Sequence, residues 1–176
     1  MTFRAATSQD CDGIRRVHRA AFPEEEGEII AKLAMDLLSE DETRQIISLV
    51  AEMDGMPVGH IAFSPVTIDK NENFRGYILA PLGVKPEYQK RRIGTGLIQR
   101  GIKRISDMGA NVIFVYGDPK YYARFGFSPD AAHKYTAPYR LQYPLGWQAI
   151  VLNECDAGKE PVSITCVASL SDPKLW

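Results

Sequence analysis

Cysteine is scarce in this chain: Cys11, Cys155 and Cys166 are the whole set, and none stands in CxxC spacing with another. An odd, scattered trio builds neither a disulfide framework nor a zinc site, so reduced thiols and no metal are expected. No stretch approaches the ~18 consecutive apolar residues that a membrane span requires. The N-terminus also lacks the basic start and apolar core of a secretory signal, so a cytoplasmic protein with no membrane partner is expected. An excess of either charge is missing too, with 21 Lys and Arg against 22 Asp and Glu. A net charge of -1 supplies no global field for nucleic acid, and no nucleic-acid partner is expected. With 14 Gly and 11 Pro, composition excludes collagen-like and low-complexity classes.

What remains is 176 residues of ordinary globular composition without repeat or linker. They read as one domain, 1–176, long enough to bury roughly 70% of the surface of the unfolded chain. A strand over 2–6 precedes a helix whose apolar positions Cys11, Ile14, Val17, Ala21 and Phe22 recur at helical spacing, with Thr7 or Ser8 as cap and Pro23 as stop. A second helix covers about 26–39. Strands at 46–53 and 58–68 flank Asp54-Gly55-Met56-Pro57 and form a hairpin. The run 77–84 reads as a buried strand in which Pro81 and Gly83 mark a bulge. An amphipathic helix from Ile93 to Ile105 closes at Gly109. A strand at 112–116, a short helix at 120–125, an aromatic loop at 128–145 and strands at 147–152 and 162–170 complete the order. Residues 155–176 form a C-terminal extension whose alternation suits an extra strand, joined to the sheet or paired in a homodimer. The architecture implied is α/β, a mixed sheet flanked by helices.

The segment from Leu82 through Gly83, Val84 and Lys85-Pro86-Glu87-Tyr88-Gln89 to Lys90-Arg91-Arg92-Ile93-Gly94-Thr95-Gly96 carries the chemistry. It joins a strand end to a helix N-terminus, where unpaired amides and the helix dipole make an anion site. Between Lys85 and Asp107 seven cationic side chains face two carboxylates, a field suited to a polyphosphate. A Walker P-loop is absent, and Gly94-x-Gly96 lacks the third glycine of a dinucleotide fingerprint. By itself the pair is as well explained by a tight turn.

Set behind Val84-x-Pro86, this segment resembles the central Q/R-x-x-G-x-G/A motif of the GNAT superfamily of N-acetyltransferases. Either Gln89 or Arg91 opens the motif; in the preferred Gln89 frame Arg92 replaces the first glycine. A second segment, Gly117-Asp118-Pro119-Lys120-Tyr121-Tyr122-Ala123-Arg124-Phe125-Gly126-Phe127, is similar to the family's Y-x-x-x-G-F block and to a bacterial branch of GNAT-like proteins carrying GDPxYYxRFGF. The resemblance implies a GNAT-like acyl-CoA N-acyltransferase fold. It implies acetyl-CoA as cosubstrate along Leu82, Gly83 and Val84 and around Gln89, Lys90, Arg91, Arg92, Ile93, Gly94, Thr95 and Gly96. Tyr122 is then the catalytic acid for the departing thiolate, and a primary amine attacks directly in a ternary complex. A non-catalytic acyl-CoA-binding sensor or assembly module uses the same elements and is the alternative.

Other residues have plainer readings. Tyr122 without the resemblance is a ring packed beside Phe125 and Phe127. Asp118 before Pro119 is a helix N-cap, and Arg124 is a phosphate contact or a solvated side chain. His18 reads as a core or boundary residue rather than a base, and neither His60 nor His133 falls in a motif. Eight carboxylates against Lys32 between Glu24 and Glu42 read as a solvated acidic face. In GNAT-like folds that helix pair borders the acceptor, so the same face is also a rim for a cationic amine.

Overall fold

The computed structural model describes residues 1–40, 45–69, 71–154 and 161–176. Asp41, Glu42 and Cys155 therefore lie outside the described residues. The strands are β1 (Thr2–Ala5), β2 (Ile47–Met53), β3 (Met56–Ile68), β4 (Gly76–Val84), β5 (Val112–Tyr116), β6 (Tyr135–Thr136), β7 (Trp147–Val151) and β8 (Val162–Cys166). The helices are α1 (Cys11–Ala21), α2 (Glu24–Ser39), α3 (Ile93–Asp107), α4 (Pro119–Tyr122) and α5 (Pro129–Ala132). Hydrogen-bonded neighbours follow the order β1-β2-β3-β4-β5-β7, with β8 on β3 and β6 on β8. The β4–β5 pair is parallel and β5–β7 antiparallel, so the sheet is mixed, as the element order implied. Among the described residues no helix is long and apolar enough to cross a membrane.

The chain forms two compact units, Met1–Ser64 with Ala80–Gly101, and Pro65–Leu79 with Ile102–Trp176. In the first, Asp54 and Gly55 both take positive φ, 51° and 76°, and close the β2–β3 hairpin as a two-residue turn. Met56 and Pro57, expected in the turn, belong instead to β3. Pro57 is tolerated there because the ladder shifts register between Ala51 and Glu52, just where a missing N–H matters least.

Alternation along β3 then separates two helices onto opposite faces. His60 faces α1, while Gly59 and Phe63 face α3. Glycines permit the close approach on the α3 side. A Cβ on Gly101 would stand 2.1 Å from the Phe63 ring, and one on Gly59 would stand 2.9 Å from Ile93 and 3.2 Å from Leu97. Ile14, Val17, Val50, Ile61, Phe63, Leu97 and Ile98 fill the core of this unit. Helix α2 begins at Glu24, two residues earlier than expected, because Pro23 suits the position before a first turn and three glutamates there complement the helix dipole. Arg19 pairs with Glu28 at 2.6 Å and Lys32 with Asp36, so part of the acidic face is locally neutralised.

In the second unit Phe114 stacks on Trp147 and meets Tyr135 edge-on, and Trp147 Nε1 donates to the Tyr135 carbonyl at 2.8 Å. Helix α3 ends where expected. Gly109, at φ 77°, lets its own amide reach Ser106 and the next amide reach Ile105. The aromatic segment expected as loop holds α5 and the two residues of β6. The extra strand is shorter than the alternation suggested. Pairing of β8 with β3 ends at Cys166, and Ala168–Leu170 curl into a 3-10 turn that buries Leu170.

One ionic cluster ties the start of the fold together. Arg4 on β1 donates to both Asp10 oxygens, at 2.7 and 2.8 Å, and through Nε to Glu52 on β2 at 2.9 Å. Thr7 adds its amide and hydroxyl to Asp10, at 2.8 and 3.1 Å, which fixes the approach to α1. The Arg4 hydrogen bonds, set against a burial that opposes them, hold the Asp10 carboxyl down from 3.8 to about 2. A carboxyl lowered on folding stabilises the protein above its unfolded value, and that contribution is lost as pH falls through the folded one. Asp10→Asn should therefore lower urea-unfolding stability at pH 7 by about 2 kcal/mol and flatten the acid-side decline between pH 4 and pH 2. An acid-unfolding curve superimposable on that of the unaltered protein would contradict this.

Candidate active site

Strand β4 pairs with β5 only from Gly76 to Leu79, leaving Ala80–Val84 to run on beyond the parallel ladder. Pro81 and Gly83, which the sequence marked as an interruption, do not break the strand: β4 is unbroken to Val84. Gly83 is there for close approach rather than for a turn. Its φ is not positive, and a Cβ would stand 2.7 Å from His18 Nδ1.

Past Val84 the chain is clipped twice. Lys85 N donates to the Val58 carbonyl at 3.0 Å, and Gln89 Nε2 donates back to the Val84 carbonyl at 3.0 Å. The Gln89 side chain thus closes the turn upon its own strand. A 3-10 turn, Pro86–Tyr88, follows, and then Lys90 and Arg92 adopt φ of 62° and 61°. Left-handed backbone at Arg92 is the geometry for which the motif supplies glycine, and here an L side chain sustains it. Gly94 and Gly96 themselves have no positive φ. A Cβ on Gly96 would meet the Phe3 ring at 2.6 Å, so this glycine lets α3 lie close on β1.

The consequence is a row of free donors. The first bond of α3 runs from Gly96 N to Arg92 O at 2.9 Å, which commits the Gly96 amide and leaves those of Ile93, Gly94 and Thr95 ahead of it. The amides of Lys90, Arg91 and Arg92 also find no acceptor among the described residues. Ile93 contributes its amide alone, since its side chain is 1% exposed and packs in the core. Lys90, Arg91 and Arg92 are exposed, with the Arg91 guanidinium 5.4 Å from the Tyr88 ring centroid. Three cations over six unpaired amides at a helix N-terminus can hold phosphate oxygens.

The second segment has its own construction. Asp118 Oδ1 accepts from Lys120 N at 2.9 Å, with Pro119 as the first helical residue, so the N-cap reading holds. Tyr122 packs its ring on Gly117, where a Cβ would stand 2.6 Å away, and edge-on to Phe127. Gly126, at φ 92°, turns the chain to place Phe127. Among the described residues nothing hydrogen-bonds the Tyr122 hydroxyl. Burial, and then Tyr121 and Asp118, push that phenol well above its ordinary value, so it keeps its proton at neutral pH. Arg124 folds over Tyr121, its guanidinium 4.6 Å from the ring centroid, and donates to the Tyr121 carbonyl at 3.2 Å.

Sequence reasoning passed over one polar cluster. His18 Nε2 lies 2.7 Å from His60 Nδ1, and His60 Nε2 lies 2.8 Å from Ser48 Oγ. These residues come from α1, β3 and β2, and no spacing in the chain announces them. His18 is buried, as its helical position implied.

A left-handed backbone costs an L residue about 1–2 kcal/mol, part of which glycine returns through its larger unfolded-state entropy. Arg92→Gly should accordingly raise urea-unfolding stability by about 0.5–1 kcal/mol. A loss of stability in that variant would contradict the left-handed assignment at Arg92.

Comparison with known proteins identifies the family. Residues 2–129 match the family model described as an acetyltransferase (GNAT) domain. The uncharacterized N-acetyltransferase YjhQ of Escherichia coli (strain K12) is 34% identical over 177 residues, covering 98% of this chain and 93% of that protein. A crystal structure of the GNAT family N-acetyltransferase YhbS from Escherichia coli in complex with CoA is similar at TM-score 0.77 and 27% identity, over 93% of this chain and 89% of that one. A GNAT family acetyltransferase from Brucella melitensis in complex with acetyl-CoA is similar at TM-score 0.68 and 31% identity, over 97% of each chain. The fold, the donor-rich turn and these relatives lead to one statement: the chain belongs to the GNAT family of N-acetyltransferases.

Proposed function

We propose that this protein, with residues 1–176 serving as one catalytic domain, moves the acetyl group of acetyl-CoA to a primary amine by direct attack in a ternary complex. The observation that carries the reading is the row of unpaired amides at Lys90, Arg91, Arg92, Ile93, Gly94 and Thr95 beneath three exposed cations. A pyrophosphate supplies the acceptors those amides lack, and the relatives crystallised with CoA and acetyl-CoA support that choice. Ala80–Val84, running past the β5 ladder, then offers Leu82, Gly83 and Val84 to the amide-bearing pantetheine arm in the manner of an added strand.

Acetyl transfer needs a nucleophilic nitrogen held against the thioester carbonyl, a donor for the developing oxyanion and a proton for the leaving sulfur. Backbone amides of β4 serve the oxyanion. Tyr122 serves the sulfur: its hydroxyl is unengaged, and burial keeps it protonated at neutral pH. No covalent intermediate on the chain is required. Cys166, whose thiol burial pushes up to about 12, is a poor nucleophile in any case.

Calorimetry with acetyl-CoA and a thiol-release assay over a panel of amines separate this reading from the sensor. Binding without transfer to any amine would favour the sensor. Tyr122→Phe should leave acetyl-CoA affinity unchanged and lower kcat by about 10²–10⁴-fold. Undiminished turnover in that variant would remove Tyr122 from the mechanism.

A further inference from the structure

Three buried side-chain atoms among the described residues have no hydrogen-bond partner: Ser64 Oγ, Gln148 Oε1 and His18 Nδ1. A buried polar atom left unpaired costs about 1–3 kcal/mol, so each asks for a reason. His18 Nδ1 differs from the others in standing at the end of a hydrogen-bonded relay. Its Nε2 meets His60 Nδ1, and His60 Nε2 meets the half-buried Ser48 Oγ. Its free nitrogen faces β4 at Gly83, the glycine whose Cβ would come within 2.7 Å of it.

We propose that His18 Nδ1 takes the proton of the attacking amine, with His60 and Ser48 as positioning residues that keep its lone pair bare. The inference rests on the acetyl-transfer reading above. A thioester carbonyl paired with the β4 backbone lies near the plane of the sheet, and a nucleophile reaches a trigonal carbon from above or below that plane. On the α1 side Gly83 presents no side chain, and His18 is the polar group that covers it.

The relay selects the tautomer. When Ser48 Oγ accepts from His60 Nε2–H, His60 Nδ1 accepts from His18 Nε2–H, and His18 Nδ1 is left with its lone pair. The reverse orientation would bury an N–H with no acceptor, which native structures avoid more strictly than an underused acceptor. Phe22 stacks on the His18 ring with centroids 6.2 Å apart, and the Asp10 carboxylate acts on the pair through His60. Burial holds His18 down at about 4, so the ring is neutral at pH 7 and its lone pair is not taken up by a proton from solvent.

In the step itself a neutral amine forms the new C–N bond with its lone pair. Its N–H bond then breaks toward His18 Nδ1, and the electron pair stays on nitrogen. Collapse of the tetrahedral intermediate breaks the C–S bond, and sulfur receives its proton from Tyr122. His18 gives its proton to water as the product leaves and Tyr122 regains one from water, so the net products are an amide and free coenzyme A thiol.

Nitrogen-15 NMR of the histidine-labelled protein tests the tautomer without needing an acceptor. Expected are an unprotonated Nδ1 and a protonated Nε2 in His18, and a mixture of His18 tautomers in Ser48→Ala. A protonated Nδ1 in the unaltered protein would overturn the proposal, as would an unchanged tautomer in Ser48→Ala. In the thiol-release assay, with spermidine and phenethylamine as probes, His18→Gln keeps the contact to His60 but lacks Nδ1. It should bind acetyl-CoA as before while kcat falls about 10²-fold. Unaltered kcat in His18→Gln would reject His18 alone, whereas failure of the unaltered protein to bind acetyl-CoA would reject the acetyl-transfer reading itself.

Discussion

The structure depends most on one backbone turn, the passage from β4 to α3 in which Lys90 and Arg92 lie at positive φ. Left-handed residues reverse the sense of the chain, so consecutive amides swing to one side instead of pairing in sequence. Clips on either side hold that geometry. Lys85 is tied to Val58 on β3, Gln89 to the Val84 carbonyl, and Gly96 opens the helical ladder. The row of donors follows from the backbone, and the basic side chains add charge above it. Strain at Arg92 is the cost of doing this without glycine, and the tethered ends supply the constraint.

Around the turn the fold is organised by how closely helices approach strands. Gly59, Gly96 and Gly101 let α3 settle onto β1 and β3, while Gly83 lets α1 bring His18 to β4. Each is a place where a methyl group would collide with a ring or a branched side chain. The strand end and the helix N-terminus are thereby held against a rigid layer, and a donor array gains its binding strength from being fixed before the ligand arrives. The Arg4, Asp10 and Glu52 cluster performs a comparable service at the beginning of α1, the helix that carries His18.

Much of this was legible because it is local. Asp54-Gly55 between alternating strands, Gly109 after an amphipathic helix and Asp118 before Pro119 each carry their own stereochemistry, and each appears in the structure as expected. Other features were not legible because tertiary contacts decide them. Alternation through Leu170 continues the pattern of a strand, yet β8 stops at Cys166, where its pairing with β3 ends. The glycines of Gly94-x-Gly96 looked like turn residues, but the left-handed positions fall two and four residues before Gly94. The contact of Ser48, His60 and His18 across three elements has no trace in their spacing at all.

The claim at the centre is that the amides from Lys90 to Thr95 are unpaired in the free protein and are taken up by coenzyme A phosphates. Amide NMR during titration with coenzyme A addresses it most directly. The account predicts rapid hydrogen exchange at those six amides without ligand, and large downfield shifts with slowed exchange when the ligand binds. Binding of coenzyme A that left all six amides unshifted and still exchanging would contradict it.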